Sequence, residues 1–219
     1  MDWWGIWEER HLKATEKKEL IKMREITASD LNELAKYNHD VIWDAAQSLD
    51  REPKIYLHWT AGHYEQTFED YHICIEGDGT MYLMADLDAN LNHTWRRNTG
   101  AIGIALCCCV GATTDDLGDE PPTNEQIEAM AKAVAAIADG LGIPIDIEHV
   151  MTHGEAADSE DGVLTYDESD CYGPKCDCER WDLEYLGTDE SPSFNPYATD
   201  GTRGGDVLRG KANWYAERW

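Results

Sequence analysis

Apolar and polar stretches alternate between residues 54 and 153 in a way that predicts strands mixed with helices. Residues 101–110 form a continuous apolar run, which is typical of a central strand covered on both faces. Residues 55–60 predict a buried strand, and residues 143–150 predict a further strand. Two shorter apolar runs, at 71–76 and 81–84, flank the turn-forming sequence Gly77-Asp78-Gly79-Thr80 and predict a β-hairpin.

A helix is predicted to begin after Thr123, because Thr123 and Gln126 have the spacing of a capping box. Apolar residues then recur at the helical period, at Ile127, Met130, Val134, Ile137 and Leu141. Gly140 and Gly142 are predicted to end this helix, since glycine is common just past a helix C-terminus.

Helices are also predicted near both ends of the chain. Ser29 or Asp30 is expected to cap the first one. Its predicted apolar stripe consists of Leu31, Leu34, Tyr37, Val41 and Ile42. A short terminal helix is predicted around Val207, Leu208, Ala212, Trp214 and Tyr215. Together these elements predict an α/β fold with a central mixed β-sheet flanked by helices.

The length of 219 residues is typical of one domain with small additions. A helical N-terminal extension that packs on the domain is predicted over residues 1–53. The domain itself is assigned to residues 54–190, where the strands and the strongest helix lie. Residues 191–219 are predicted to form a C-terminal tail that contains the short terminal helix.

The chain is strongly acidic, with a formal net charge of −26 at pH 7. This charge argues against nucleic acid or anionic lipid as a partner. No apolar run approaches the roughly 20 residues that a membrane helix needs, so no membrane partner is expected. Residues 1–9 have neither the basic start nor the apolar stretch of a secretory signal, which predicts synthesis in the cytoplasm. The sequence leaves the oligomeric state open.

Six of the seven cysteines occur in two groups with different expected roles. The consecutive residues Cys107, Cys108 and Cys109 cannot all pair with one another, and they are expected to be buried thiols. A second group, Cys171, Cys176 and Cys178, lies in an acidic loop and lacks a complete four-ligand zinc pattern. A structural metal or redox site there is a third, weaker hypothesis.

Two histidines, His58 and His153, follow predicted core strands at points where strand ends deliver side chains into a cleft. Imidazoles brought together from separate strands suit zinc, and three protein ligands with an open fourth position form a catalytic site. The competing interpretation is that each histidine is an ordinary surface or hydrogen-bonded residue.

Several motifs occur in a recognisable order along the chain: Leu57-His58-Trp59-Thr60-Ala61, Tyr71-His72-Ile73, His93 with Asn98, Thr123-x-x-Gln126, and Thr152-His153. This order resembles the zinc-dependent N-acetylmuramoyl-L-alanine amidases of the type-2 amidase and peptidoglycan-recognition superfamily, including phage endolysins. The resemblance covers about residues 55–186. It implies a central sheet with a zinc cleft at one end. The implied reaction is hydrolysis of the amide between the lactyl group of N-acetylmuramic acid and L-alanine.

The resemblance implies that His58 and His153 are zinc ligands, with an Asp or Cys near the end of the domain as the third. Asp182 is preferred for that position, because it lies where the sequence regains an apolar rhythm. The alternatives Cys176, Asp177 and Cys178 remain open.

Relatives use a Glu or a Tyr to orient the attacking water, and a Lys that faces the oxyanion. The Glu position corresponds here to Ala105, which cannot transfer protons, so the role is assigned to Tyr71. Arg180 takes the Lys position and is expected to stabilise negative charge, because arginine does not give up its proton at neutral pH.

Trp59, His93 and Asn98 are predicted to contact the peptidoglycan or muropeptide substrate. The resemblance thus implies Zn²⁺ as cofactor and cell-wall lysis of the endolysin kind, on the wall after release or on fragments in the cytoplasm. The alternative is a non-catalytic muropeptide-binding module of the same fold, since Ala105 replaces a catalytic Glu and Arg180 replaces the expected Lys.

Overall fold

A computed structural model describes residues 24–160 and 171–218. Residues 1–23, 161–170 and 219 lie outside the described residues, and so do the corresponding parts of the predicted N-terminal extension and of the acidic segment before Asp182. The described strands are β1 (Arg24–Glu25), β2 (Lys54–Trp59), β3 (Ile73–Ile75), β4 (Met81–Leu83), β5 (Ala101–Leu106) and β6 (Val150–Thr152). The described helices are α1 (Ala28–Gln47), α2 (Asn124–Leu141), α3 (His153–Ala157) and α4 (Gly204–Ala216).

The strands form one sheet in the order β1-β4-β3-β5-β2-β6. β5 is parallel to both β2 and β3, and β2 is parallel to β6, whereas β4 is antiparallel to β1 and β3. The predicted mixed sheet flanked by helices is therefore confirmed. Because β2 and β6 run in the same direction, with Leu57 opposite Thr152, their carboxyl ends bring His58 and His153 to one edge.

The two faces of the sheet have different neighbours, because strand residues alternate between them. Ile55 and Leu57 of β2 belong to the large hydrophobic core that contains the buried face of α2. Tyr56 belongs to a smaller cluster with Ala156 of α3 on the other face. His58 follows Tyr56 by two residues and shares that second face, so it points away from the main helical layer.

Helix α2 has the capping box that the sequence predicts, with reciprocal hydrogen bonds between Thr123 and Gln126. Gly142 ends the helix in the left-handed conformation, with φ of 67°. Gly140 instead lies inside α2, where an added Cβ would be 2.5 Å from the Cβ of Ala35 in α1. This glycine therefore permits close packing of α1 on α2 and does not end the helix.

The details of α1 differ from the prediction. Thr27 caps the helix in place of Ser29 or Asp30. The Thr27 hydroxyl accepts from the N–H of Asp30, the third helical residue, and the Asp30 carboxylate accepts from the Thr27 N–H. Tyr37 is 77% exposed and Val41 54% exposed, although both were assigned to the apolar stripe. The buried face is instead formed by Leu31, Asn32, Ala35, Asn38, Ile42 and Ala46. Asn32 explains part of this difference between the predicted and the observed buried face. Its side-chain amide donates to the Ala136 carbonyl of α2, so a polar residue is buried between α1 and α2.

β3 to β6 are all shorter than predicted, and the largest differences are in β5 and β6. β5 ends at Leu106, so the three following cysteines lie outside it, as buried free thiols. The side chain of Gln126 in α2 donates to the carbonyls of Cys107 and Ile75 at the ends of β5 and β3, and so ties the helix to these strand ends. β6 comprises only Val150–Thr152, and not the whole run 143–150. None of the described helices is long and apolar enough to cross a membrane.

Candidate metal centre and cleft

Three side chains with metal-ligating atoms meet at the carboxyl edge of the sheet. His58 is the fifth residue of β2, and His153 is the first residue of α3, directly after β6. Asp182 lies in the irregular segment that precedes the buried residue Leu183. All three side chains are buried, and their ligand atoms lie within 4.8 Å of one another. The structure thus brings together the two predicted histidines and the preferred third residue.

The spacing of these atoms fits a small tetrahedral cation. Asp182 Oδ2 lies 3.5 Å from His58 Nδ1 and 3.5 Å from His153 Nδ1. Zinc bonds to nitrogen and oxygen of about 2.1 Å place neighbouring tetrahedral ligands about 3.4 Å apart. His58 Nδ1 is buried and receives no hydrogen bond from the described residues. An unsatisfied buried nitrogen beside a carboxylate is well suited to binding a metal ion.

The charges in the cluster also suit a cation. Burial lowers the pKa of His58 to about 4, so its imidazole is neutral and has a lone pair at neutral pH. Burial alone would raise the pKa of Asp182, but the two neighbouring imidazoles outweigh it and hold the pKa of Asp182 well below its usual range. Asp182 is therefore a carboxylate, and the set offers the neutral imidazole of His58, the imidazole of His153 and one anionic oxygen.

The other candidates for the third ligand do not join this cluster. Cys176 forms a disulfide with Cys171, which removes its thiolate. Within residues 24–160 and 171–218, those two sulfurs and Asp158 make the one other grouping of potential ligand atoms, away from the histidines. Asp177 is exposed and accepts a hydrogen bond from the Glu179 amide. Cys178 keeps a free thiol outside the cluster. The three cysteines accordingly do not form a site with three free thiols.

Tyr71 lies beside the metal centre, as the sequence suggested. Its ring centroid is 5.0 Å from that of His58, and its hydroxyl donates a long hydrogen bond of 3.4 Å to the Trp59 carbonyl. Burial, reinforced by the charge of Asp182, raises the pKa of Tyr71 above its usual value. The phenol therefore remains protonated and can donate a hydrogen bond, but it is a poor base.

Arg180 lies on the wall of the same cleft. Its guanidinium donates to the carbonyl of Glu179 at 3.1 Å and lies 3.3 Å from the Glu179 carboxylate. The side chain is 47% exposed, and its backbone N–H donates to the Tyr172 carbonyl. Arg180 is thus available to a ligand, while its present partner is an exposed acidic neighbour.

An open cleft of about 1150 Å³ leads to the cluster. His153 and Asp182 reach its floor, and His58 lies directly beneath them. Its walls include Trp59, Tyr71, His93, Trp95, Asn98, Tyr172 and Arg180. The structure therefore gathers the predicted catalytic and substrate-contacting residues around one opening.

The predicted substrate-contacting residues are less accessible than their roles suggest. Trp59 is 7% exposed and packs edge-on against Trp181 at 4.5 Å. The side-chain oxygen of Asn98 accepts from the Thr94 N–H at 2.8 Å, which fixes the turn between them. His93 is buried behind His58, with its Nδ1 3.3 Å from His58 Nε2. Their substrate contacts remain predictions.

Sequence reasoning missed two side chains of this site. Tyr172 contacts the rings of His153 and Trp95 at centroid distances of 6.0 and 5.8 Å. Thr94 is buried, and its hydroxyl lies 3.2 Å from His58 Nε2. No spacing pattern marks Tyr172, because it lies in an irregular acidic loop. Thr94 was identifiable only as the neighbour of the candidate His93.

The C-terminal segment holds both late ligands in place. Arg209 of α4 donates to both carboxylate oxygens of Glu155, whose own oxygen accepts from the Thr152 N–H at the start of α3. Arg203 forms a similar bidentate pair with the buried Glu184, two residues after Asp182. The segment predicted as a tail therefore supports the positions of His153 and Asp182.

Another buried histidine, His72, provides a pH prediction. His72 Nδ1 accepts from the Gly103 N–H at 3.0 Å, and Nε2 donates to the Ala89 carbonyl at 2.8 Å. Burial lowers the pKa of His72 to about 4, below the usual histidine value of about 6.5. The neutral ring therefore contributes stability that is complete above about pH 6.5 and is lost as the pH falls towards 4.

We expect the free energy of unfolding of the zinc-free protein to fall by about 2 kcal/mol on account of His72 between about pH 7 and about pH 5. Urea unfolding at several pH values measures this loss. The variant His72→Gln keeps one donor and one acceptor but does not titrate, so its stability should depend less steeply on pH. An unchanged pH dependence in that variant would contradict the neutral, buried state of His72.

Comparisons with known proteins support the same interpretation of this site. A sequence model of the N-acetylmuramoyl-L-alanine amidase family matches residues 41–173, which is more than half of the chain. The chain belongs to this amidase family. The match ends before Asp182, so the choice of Asp182 as the candidate third ligand rests on the geometry of the cluster and not on the family match. No curated protein matches the chain in sequence.

Solved structures of endolysins resemble this amidase-family chain distantly. LysCS, an endolysin N-acetylmuramoyl-L-alanine amidase of Clostridium intestinale URNW, is 19% identical over 58% of this chain and 79% of its own, with a TM-score of 0.38. LysC of the same organism is 18% identical over 58% and 80%, with a TM-score of 0.37. The Ph2119 endolysin of a Thermus scotoductus MAT2119 bacteriophage is 19% identical over 56% and 79%, with a TM-score of 0.39. The family assignment rests on the sequence match.

Proposed function

We propose that this protein is a zinc-dependent amidase that hydrolyses the bond between the lactyl group of N-acetylmuramic acid and L-alanine in peptidoglycan or muropeptides. The observation that carries the proposal is the cluster of His58, His153 and Asp182 in a chain that belongs to the amidase family. Two neutral imidazoles and one carboxylate are a donor set found in catalytic zinc sites with an open fourth position.

The chemistry supplied by a bound Zn²⁺ is activation of water and polarisation of the scissile carbonyl. Tyr71 remains protonated, so its hydroxyl is suited to orienting the water or donating to the developing oxyanion. Arg180 can turn from Glu179 towards the cleft and stabilise the same negative charge. The roles of Tyr71 and Arg180 are thus electrostatic, and neither residue is required to act as a base.

The cleft is proposed to hold the muramyl group and the first residues of the stem peptide. The exposed ring of Trp95 provides an apolar surface at its rim, and Asn98 provides an amide on its wall. Trp59 and His93 lie deeper, and any contact they make with substrate is close to the metal ligands. The open shape of the cleft suits an extended glycopeptide.

A second candidate function is binding of muropeptides without hydrolysis. Ala105 is paired with His58 in the sheet and is fully buried, at the position where relatives have a catalytic Glu. The raised pKa of Tyr71 also makes it a weak replacement for that base. These two observations favour a site that holds zinc and fragments but turns over slowly.

The acidity of the chain bears on where the protein acts. With a net charge of −26, it is repelled by anionic wall polymers. We propose that it acts on peptidoglycan through neutral contacts or on released muropeptides. In the endolysin-like case, it reaches the wall after release from the cytoplasm.

The test is incubation of the zinc-loaded protein with purified peptidoglycan and with a defined muramyl-peptide. We expect new L-alanine amino termini and a mass change that corresponds to separation of the peptide from the muramyl group. Treatment with a chelator should abolish this release, and added Zn²⁺ should restore it. The variant His153→Ala should be inactive, whereas His39→Ala, which changes an exposed histidine of α1, should retain activity.

The two candidate functions give different results. Stoichiometric zinc with release of L-alanine termini supports the amidase. Stoichiometric zinc with saturable muramyl-peptide binding and no release supports the binding module. A protein that neither binds zinc nor cleaves any of several wall types would contradict the amidase proposal.

A further inference from the structure

We infer that Thr94 is a positioning residue, which fixes the tautomer and orientation of the metal ligand His58 through a hydrogen-bond relay to His93. This inference deepens the proposed function and rests on it for its consequence in zinc binding. It concerns Nε2 of His58, the ring nitrogen that does not face Asp182. Nothing in the motif spacing of the sequence assigns a role to Thr94.

The relay follows from three short contacts among buried atoms. His58 Nε2 lies 3.2 Å from Thr94 Oγ1 and 3.3 Å from His93 Nδ1, and Thr94 Oγ1 lies 2.9 Å from His93 Nδ1. His58 is fully buried, and Thr94 is 1% exposed. Water therefore has little access to these atoms, and they have to satisfy one another.

The direction of the relay depends on which nitrogen of His58 must stay free for the cluster. A neutral imidazole has one N–H and one lone pair, and a hydroxyl donates one hydrogen and accepts others. If His58 Nε2–H donates to Thr94 Oγ1, the Thr94 hydroxyl is free to donate to His93 Nδ1. Both contacts are then hydrogen bonds, and His58 keeps its lone pair on Nδ1, which faces Asp182.

The opposite tautomer of His58 would place its proton within the metal cluster. A proton on Nδ1 would leave Nε2 as an acceptor, and the relay would run in reverse, with His93 Nδ1–H donating to Thr94 and the Thr94 hydroxyl donating to His58 Nε2. A proton on Nδ1 would also occupy the nitrogen that belongs to the metal cluster. The position of the Thr94 hydroxyl thus prepares His58 to bind a cation before the cation arrives.

The backbone around Thr94 is held in place from two sides. The Asn98 side chain accepts from the Thr94 N–H at 2.8 Å, and the Asn98 carbonyl accepts from the first residue of β5. Gly103 of β5 gives His93 its space, because a Cβ there would lie 2.7 Å from the imidazole Cγ. Asn98 and Gly103 therefore fix the geometry of the relay.

Thr94→Val tests the inference because it preserves shape and removes the hydroxyl. Thr94→Ser keeps the hydroxyl, and Thr80→Val is a matched control in the β-hairpin turn outside the cleft. Zinc affinity is measured by competition with a chromogenic chelator on the metal-free proteins. We expect Thr94→Val to bind zinc about 10- to 100-fold more weakly, and Thr94→Ser and Thr80→Val to bind close to the wild-type affinity.

A second readout is independent of zinc and activity. In the metal-free protein, the nitrogen-15 chemical shifts of His58 report which ring nitrogen carries the proton. We expect the Nε2–H tautomer in the wild type and in Thr94→Ser, and a mixture of tautomers in Thr94→Val. Wild-type His58 protonated at Nδ1, or zinc affinity unchanged in Thr94→Val, would overturn the inference. A wild type that binds no zinc but shows these tautomers would overturn the proposed function and leave the relay supported.

Discussion

Replacing Asp182 by asparagine should lower amidase activity by at least about 10³-fold, because it removes the anionic ligand of the cluster while keeping its shape. Asp182 Oδ2 is 3.5 Å from the ligand nitrogen of each histidine, so no other described carboxylate takes its place in the cluster. A neutral amide oxygen binds Zn²⁺ more weakly than a carboxylate does. The zinc content after dialysis and the rate of L-alanine release should fall together.

Asp177→Asn is the matched control for this prediction. Asp177 lines the same cleft and is five residues away in sequence, but it is exposed and outside the cluster. Its substitution should leave zinc content unchanged. If Asp177→Asn lost zinc while Asp182→Asn kept it, the third ligand would be assigned wrongly. Cys178→Ser extends the comparison to the remaining free thiol of the segment.

Local signals in the sequence predicted the elements that depend on local physics. The capping box of Thr123 and Gln126 defined the start of α2, because both partners of the reciprocal hydrogen bonds lie within one turn. His58 and His153 were identifiable because each lies at the end of an apolar run, and parallel strands deliver such ends to one edge. These features need no knowledge of distant contacts.

The third ligand could not be chosen from the sequence, because four candidates lie within seven residues of one another. Tertiary contacts make the choice. The disulfide removes Cys176, exposure removes Asp177, and the bidentate pair of Arg203 with Glu184 fixes the backbone beside Asp182. None of these contacts has a local signature.

Tertiary contacts without a local signature also explain why the buried face of α1 was predicted wrongly. A helical stripe read from hydrophobicity included Tyr37 and Val41, whereas the buried face contains Asn32. Asn32 is buried because the carbonyl of Ala136 and the carboxylate of Asp139 accept its amide hydrogens across the helix contact. Periodicity treats Asn as a solvent-facing residue and cannot anticipate a partner more than a hundred residues away.

The C-terminal segment connects the stability of the fold with the geometry of the site. Through Arg209 the segment holds Glu155. Glu155 forms the capping box with Thr152 at the start of α3, where His153 is the first helical residue. Through Arg203 it holds Glu184, beside Asp182. Two of the three proposed ligands therefore depend on residues of a segment that the sequence predicts only as a tail with a short helix.

Arg209→Ala tests this dependence and should lower the free energy of unfolding by about 3–5 kcal/mol, because it leaves Glu155 buried without its counter-charge. Arg209 also donates to the Val150 carbonyl of β6, so the strand before His153 loses a hydrogen bond as well. Urea unfolding measures the loss of stability. Zinc affinity measured below the unfolding transition should also fall, because the start of α3 is no longer fixed.

Lys211→Ala separates this effect from a general loss of charge on α4. Lys211 pairs with Glu128 at 3.0 Å, but both side chains are partly exposed, and such a pair is worth no more than about 1 kcal/mol. We expect Lys211→Ala to keep both stability and zinc affinity near the wild-type values. Equal losses in the two variants would show that the buried pair of Arg209 and Glu155 has no special part in holding His153. A large loss in Arg209→Ala alone would show that the C-terminal helix is part of the metal centre's support.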